Sequence, residues 1–183
     1  MFAQLDTKTV YSFMDSLIDL EGYVKEAKVL GYQTIGIMDK DNLYAAFHFI
    51  TKAKSEGLRP VLGLELTLNL QENLSLSVYL IARDTTGYKN LMKVSSCQMT
   101  SGIQLEDLKD YLSGLVVIIP YFDGLESLLL PFEYYIGVNV HSEEKDYDKP
   151  LIPLHTVRYF NTNEVETLHM LHAIRDNISL KDA

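Results

Sequence analysis

The chain has 183 residues, 47% of them hydrophobic and 22% charged, a composition typical of one soluble globular domain. The net charge of −9 argues against an independent nucleic-acid-binding surface, because binding to phosphates needs clustered lysine and arginine. No apolar run approaches the roughly 20 residues of a membrane span, and the N-terminus lacks a signal-peptide pattern. The single cysteine, Cys97, excludes an internal disulfide and indicates a reducing compartment such as the cytoplasm.

Short apolar segments alternate with amphipathic segments along the first half of the chain. Their hydrophobic periodicity predicts strands over residues 2–5, 34–38 and 61–68, and helices over residues 17–30 and 42–57. A further strand over residues 76–82 is expected to return as a hairpin partner of the third strand, after a turn near residues 71–73.

The second half of the chain repeats the alternation. We predict strands over 114–120, 134–140 and 151–154, and helices over 87–96, 104–112 and 163–174. Repeated strand–helix units favour a parallel sheet and a barrel-like α/β fold. In such folds the functional groups lie at the C-terminal ends of the strands.

Two aspartate–lysine pairs occupy such strand ends. The first is Asp6-Thr7-Lys8 and the second is Asp39-Lys40. Ionised carboxylates at strand ends are suitable ligands for hard metal ions. A protonated lysine has three donors and no free lone pair, so it cannot ligate a metal. The positions are therefore those of a metal site, whereas two of the side chains are unsuited to one.

Five segments, taken in order, resemble motifs of one known family. Residues 38–43 (MDKDNL) are similar to T-D-H-G-N-L, residues 59–65 (RPVLGLE) to K-P-I-I-G-x-E, and residues 82–91 end in a G-Y-x-N-L helix start. Residues 10–15 resemble the stretch after the first histidine motif, and residues 153–160 resemble A-T-N-D-V-H-Y-L. The chain thus resembles the PHP (polymerase and histidinol phosphatase) domain of the bacterial DNA polymerase III alpha subunit.

The resemblance implies a distorted (β/α)7-type barrel, with residues 1–183 forming a single domain and an N-terminal fragment of a longer polymerase. Active relatives use histidines and carboxylates to hold zinc or manganese, which activates water for phosphoester hydrolysis. By position, Asp6 and Lys8 replace the histidines of the first motif, and Thr156 replaces an aspartate of the last. The residual site positions are Asp6, Lys8, Asp39, Lys40, Glu65, His141, His155 and Arg158.

The three basic residues in this set suggest a physical replacement. The basic residues are Lys8, Lys40 and Arg158, and the acidic residues are Asp6, Asp39 and Glu65. We hypothesise that the fixed positive charges of the first three neutralise the negative charges of the second three, as metal ions do in active relatives. Buried carboxylates left without a counter-charge would cost several kcal/mol per ion. The alternative is that the lysines point into solvent and have no such role.

The favoured function is therefore a structural or partner-docking module of a DNA-directed DNA polymerase (a nucleotidyltransferase) in DNA replication, with no cofactor of its own. The resemblance implies magnesium for the parent polymerase. It also implies packing against the polymerase core, and contacts with a proofreading exonuclease or other replisome proteins. Direct nucleic-acid binding and membrane association are not expected.

Two alternatives remain open from the sequence. One is a residual metal-dependent phosphoesterase or 3'-5' exonuclease, with zinc or manganese held by Asp6, Asp39, Glu65, His141 and His155. The other is a free-standing protein without a polymerase.

Several other polar residues receive a structural interpretation. The helical i, i+3 set of Glu166, His169 and His172 has the spacing of a bundle metal site, but no second helix supplies a matching pair. His48 is expected to pack or hydrogen-bond on its helix, and Cys97 is expected to be inert.

Overall fold

A six-stranded mixed sheet, curled into a half-barrel, organises the computed structural model, which describes residues 3–71, 74–100, 102–139 and 148–180. The strands follow one another in sequence order: β1 (Thr34–Lys40), β2 (Arg59–Gln71), β3 (Leu74–Ala82), β4 (Leu115–Pro120), β5 (Tyr135–Val138) and β6 (Leu151–Pro153). The helices are α1 (Leu20–Val29), α2 (Ala46–Ser55), α3 (Thr85–Thr100), α4 (Leu105–Leu108) and α5 (Val165–Asp176).

The sheet is mixed, whereas the strand–helix alternation predicted a parallel one. Strands β1 and β2 pair in parallel, as do β4 with β5 and β5 with β6. Strand β3 is antiparallel to both of its neighbours, because the predicted hairpin with β2 reverses the chain without a crossover helix. The hairpin is thus confirmed, and β4 returns to the direction of β1 and β2.

The N-terminal segment closes the curled sheet, although residues 3–5 do not form the regular strand predicted over residues 2–5. It makes two isolated parallel bridges, Gln4 with Ile35 of β1 on one side and Thr7 with Val157 on the other. The beginning of the chain therefore lies between β1 and the stretch that follows β6. This arrangement joins the two ends of the sheet and brings the first and last sequence motifs together.

Helix α1 begins at Leu20, three residues later than its periodicity predicted, because Asp19 caps it. The Asp19 carboxylate accepts a hydrogen bond from the Gly22 backbone N–H at 2.8 Å, which satisfies one of the free donors of the first turn. The buried side chains recur at helical spacing: Leu20, Tyr23, Val24 and Ala27. Within the described ranges, no helix has the length and apolar character needed to span a membrane.

Strand alternation separates the two faces of the sheet. On β1, Ile35 and Ile37 belong to the large core shared with the helices, whereas Met38 belongs to a second cluster on the opposite, concave face. The buried members of that concave cluster are Met38, Tyr79, Ile81, Ile118 and Leu154. Side chains that share their alternation are directed into the half-barrel, and these include Glu65 of β2, which pairs with Tyr79 across the hairpin.

We predict that replacing Gly36 with Ala destabilises the protein, because the N-terminal segment passes directly over this glycine. An added Cβ would lie 2.8 Å from the Leu5 carbonyl oxygen and 3.0 Å from the Leu5 Cα. We expect a loss of about 3 kcal/mol in unfolding free energy, at the upper end of ordinary overpacking. Urea unfolding measures this loss. The control is Gly57→Ala, where nothing lies within 4 Å and only the left-handed backbone (φ +76°) opposes the change, at about 1 kcal/mol. Equal losses in the two variants would contradict the close approach at Gly36.

Candidate functional site

A buried lysine lies at the centre of the candidate site. The Lys8 side chain is fully buried, and its Nζ lies 2.6 Å from Asp6 Oδ1 and 2.6 Å from Glu65 Oε2. Nζ also donates to the backbone carbonyl of Met38 at 2.7 Å. The three ammonium hydrogens therefore have three oxygen acceptors, and two of those acceptors are charged. The arrangement satisfies every donor of a cation that would otherwise be very costly to bury.

The alternation of the N-terminal segment places these groups together. Asp6 and Lys8 point into the half-barrel, whereas the intervening Thr7 points towards the helices and donates to the Tyr23 hydroxyl at 3.0 Å. That hydroxyl in turn donates to the Gly36 carbonyl at 2.9 Å, and burial raises the Tyr23 pKa to about 12. Polar bonds on both faces thus fix the segment that carries the site.

Two further side chains complete the surroundings of Lys8. Thr156 donates its hydroxyl to Asp6 Oδ2 at 2.5 Å. Tyr79, which pairs with Glu65 across the hairpin, places its ring 4.8 Å from the Lys8 Nζ in a cation–π contact. Burial, followed by the negative charges of Asp6 and Glu65, raises the Tyr79 pKa well above its ordinary value. The Tyr79 phenol therefore remains uncharged, and its ring forms one side of the site.

Asp39 forms a separate network, although it also ends a strand. Its Oδ1 accepts from the Thr9 backbone N–H and the Ser12 hydroxyl, each at 2.7 Å, and its Oδ2 accepts from the Thr9 hydroxyl at 2.8 Å. Burial raises the Asp39 pKa despite these bonds, which oppose the shift together with the charge of Lys8. Asp39 thus anchors the loop after the N-terminal segment.

The other two cations of the hypothesis lie elsewhere. Lys40 is exposed and, within the described ranges, makes no ion pair with a carboxylate. Arg158 pairs through Nε with Asp15 Oδ2 at 3.1 Å, and Arg175 of α5 reaches Asp15 Oδ1 at 2.9 Å. Neutralisation by nearby lysine therefore holds for Lys8 alone. The expectation for Lys40 and Arg158 was wrong, because one extends into solvent and the other has its own acidic partner.

A cavity of about 330 Å³ opens beside the Lys8 cluster. Among its lining residues are Tyr79, His155, Thr156 and Arg158. His155 is exposed, and its backbone carbonyl, not its ring, accepts a hydrogen bond from the Gln4 side chain at 2.6 Å. The remaining candidate, His141, lies outside the described residues.

The other candidate metal or reactive groups have separate positions. Glu166 and His169 are exposed on α5, whereas the His172 Nε2 lies 3.5 Å from Asp15 Oδ1. His48 is exposed on α2. Cys97 is half-buried, with its Sγ 3.8 Å from the Tyr111 hydroxyl.

The chemistry of the described donors does not fit a metal ion. Zinc and manganese sites are built from imidazole, thiolate and carboxylate ligands arranged around the ion. Here the centre between Asp6 and Glu65 contains the Lys8 ammonium, so a second cation at that point would be repelled and would have no space. Within the described part of the chain, no group of three or more His, Cys, Asp or Glu residues could hold a metal.

Comparison with known proteins identifies the family. The PHP domain family matches residues 4–152, which is most of the chain. The chain belongs to the PHP domain family. Its whole length is 54% identical to part of the DNA polymerase III subunit alpha of Streptococcus pyogenes serotype M3 (strain ATCC BAA-595 / MGAS315), of which it covers 18%. A DNA polymerase III subunit alpha from Rickettsia felis is 35% identical over 68% of this chain and 11% of its own length.

A solved structure has the same fold. An amidohydrolase from Chromobacterium violaceum superposes with a TM-score of 0.56 at 11% sequence identity, covering 96% of this chain and 84% of the other. At that identity the likeness concerns the fold alone, and it supports the assignment of the PHP domain to an α/β half-barrel. The PHP domain here spans about a fifth of the length of its streptococcal relatives.

Sequence reasoning missed several residues of the PHP site. Thr9 and Ser12 bond to Asp39, and Asp15 binds two arginines, yet none of the three was singled out. Loop residues of this kind show no hydrophobic periodicity, so the sequence pattern does not identify them. Tyr79 could have been found, because the predicted hairpin places its strand beside Glu65.

We predict that Lys8→Met strongly destabilises the PHP domain. The substitution leaves Asp6 and Glu65 buried without their counter-charge, which costs about 3–5 kcal/mol for a broken buried pair. Thermal and urea unfolding at neutral pH measure the change. The matched control is Lys40→Met, which removes an exposed lysine and should shift stability by no more than about 0.5 kcal/mol. Equal effects of the two substitutions would show that Lys8 has no special electrostatic role.

We predict that protonation of Asp39 increases the free energy of unfolding as the pH falls. Because burial raises its folded-state pKa above the unfolded value, the folded state binds the proton more readily, and ionisation of this carboxyl at neutral pH lowers the stability. As pH falls through the raised pKa towards the unfolded value near about 4, the penalty disappears. The wild-type protein should therefore gain stability relative to Asp39→Asn on acidification, measured as urea midpoints across this range. A relative loss on acidification would reverse the sign of the shift.

Proposed function

We propose that this chain is the PHP domain of a DNA polymerase III alpha-type replicative polymerase, in which it acts as a non-hydrolysing structural or docking module. The observation that carries the proposal is the position of Lys8 between Asp6 and Glu65. A group that occupies the cation position and cannot activate water supports cohesion of the barrel, and it provides no hydrolytic chemistry.

The relation to a polymerase rests on the similarity in sequence. The identity of 54% extends over the whole chain, while the chain covers only 18% of that relative. In this proposal, template-directed DNA synthesis with deoxynucleoside triphosphates and magnesium belongs to the remainder of the parent chain. The PHP domain packs against that polymerase core in the cytoplasm, and a proofreading exonuclease or other replisome proteins are candidate partners.

The donor set supports the proposed loss of the metal centre. The first motif contributes a carboxylate and an ammonium, the second contributes an exposed lysine, and the last contributes Thr156 and an arginine paired with Asp15. Carboxylates remain, but their charge is balanced from within the protein. The site is therefore proposed to be a degenerate metal centre that persists because its electrostatic balance stabilises the fold.

We expect the purified PHP domain to retain much less than one metal ion per chain after incubation with excess zinc or manganese and desalting. The physical reason is that Lys8 fills the centre and repels a second cation. Elemental analysis measures the retained metal, and hydrolysis of p-nitrophenyl phosphate and of single-stranded DNA measures phosphoesterase and exonuclease activity. The Lys8→Ala variant, checked for folding by circular dichroism, should retain more metal because its two carboxylates are left facing each other.

Stoichiometric metal with hydrolysis that disappears on metal removal would contradict the proposal and establish the phosphoesterase alternative. The polymerase half of the proposal has a separate control. The full-length gene product should extend a primed DNA template, and a gene product without this activity would indicate a free-standing PHP protein.

A further inference from the structure

Large apolar side chains are exposed at one part of the barrel rim. Phe13 and Phe47 are 82% and 79% exposed, and four further residues are between 41% and 62% exposed. We call this surface the rim patch. It consists of Val10, Tyr11, Phe13, Tyr44, Phe47 and Met99.

Hydrogen bonds connect the three segments that form the rim patch. The buried Asn42 side chain donates to the Tyr11 carbonyl at 3.0 Å and accepts from the Tyr44 backbone N–H at 3.1 Å. The Tyr44 hydroxyl contacts the Met99 Sδ at 3.4 Å. The hydroxyl of Ser12, which lies between Tyr11 and Phe13, donates to Asp39 Oδ1 at 2.7 Å. The loop after the N-terminal segment, the start of α2 and the end of α3 therefore present one fixed surface.

The composition of the rim patch is that of a protein interface. Aromatic residues and methionine are enriched at interface cores, and single proteins seldom expose contiguous apolar patches of more than a few hundred Å². The fold does not require these residues to be apolar, because their neighbours Ser12, Asn42 and Ala45 make the buried contacts. A surface fixed in advance also loses little conformational entropy on binding.

We propose that the rim patch is the surface on which the remaining part of the polymerase chain packs, through an apolar face of its own. This inference rests on the proposed function and identifies the docking surface that it requires. The streptococcal relative aligns with the whole of this chain yet is more than five times longer, so most of such a polymerase lies outside the structure. A covalently linked body is present at high effective concentration and is the first candidate to cover an apolar surface.

Other exposed surfaces and other occupants are weaker candidates for this docking interaction. The exposed large apolar residues of α5 are Met170 and Ile174, two residues against the six of the rim patch. Nucleic acid is disfavoured as the occupant by the net charge of −9.

Cysteine labelling of the full-length polymerase tests the proposal. Phe13→Cys and Phe47→Cys are introduced separately into a Cys97→Ser background, with any cysteines of the remaining chain protected or replaced. Val29→Cys is the matched control, because Val29 is 74% exposed at the end of α1, outside the rim patch. Maleimide should react at least about tenfold more slowly at positions 13 and 47 than at position 29, since an interface thiol reacts only on opening. In denaturant the three rates should become equal.

Each outcome decides the question. Labelling at positions 13 and 47 as fast as at position 29 would overturn the proposal. Protection that disappears on dilution would assign the patch to a second copy, and protection that appears only with DNA would assign it to nucleic acid; both results would also overturn it. Retained metal and hydrolysis in the earlier assays would contradict the proposed function while leaving the labelling result intact, so the two failures are distinguishable.

Discussion

The contact between one ammonium group and two carboxylates determines the organisation of the half-barrel interior. Lys8 bonds to Asp6 on its own segment, to Glu65 on β2 and to the Met38 carbonyl on β1. These three partners come from neighbouring elements of the curled sheet. The lysine therefore links the N-terminal segment to the sheet at a point where the backbone makes two isolated bridges and a Met38 N–H to Thr7 carbonyl bond instead of a regular ladder. Burial of the charge is tolerated because each donor has an acceptor.

Much of the fold follows from hydrophobic periodicity. The strand and helix segments and the β2–β3 hairpin were predictable because their side chains alternate or recur at helical spacing. Three features were not. The start of α1 depends on the Asp19 cap, the antiparallel pairing of β4 with β3 joins strands that α3 and α4 separate in the chain, and the N-terminal segment lacks a regular ladder. Each depends on a local hydrogen bond or a long-range pairing that periodicity does not encode.

The candidate site was predictable in position but not in detail. Motif order identified the strand-end residues, and the mismatch of lysine with metal ligation suggested internal neutralisation. The sequence could not distinguish buried Lys8 from exposed Lys40, since both follow a strand and both have an aspartate nearby. Nor could it show that Asp15 competes for Arg158, because those residues are 143 positions apart. Side-chain partners at such separation depend on how the chain closes.

The covalent attachment of Lys8 has a consequence for how the domain would respond to its surroundings. A bound ion is exchanged with solution, so its contribution varies with supply and is removed by chelators. An ammonium group carried by the backbone has no dissociation equilibrium of its own. Under the proposed function, the cohesion of the barrel interior is independent of the pool of free transition metals and remains constant during metal starvation or excess.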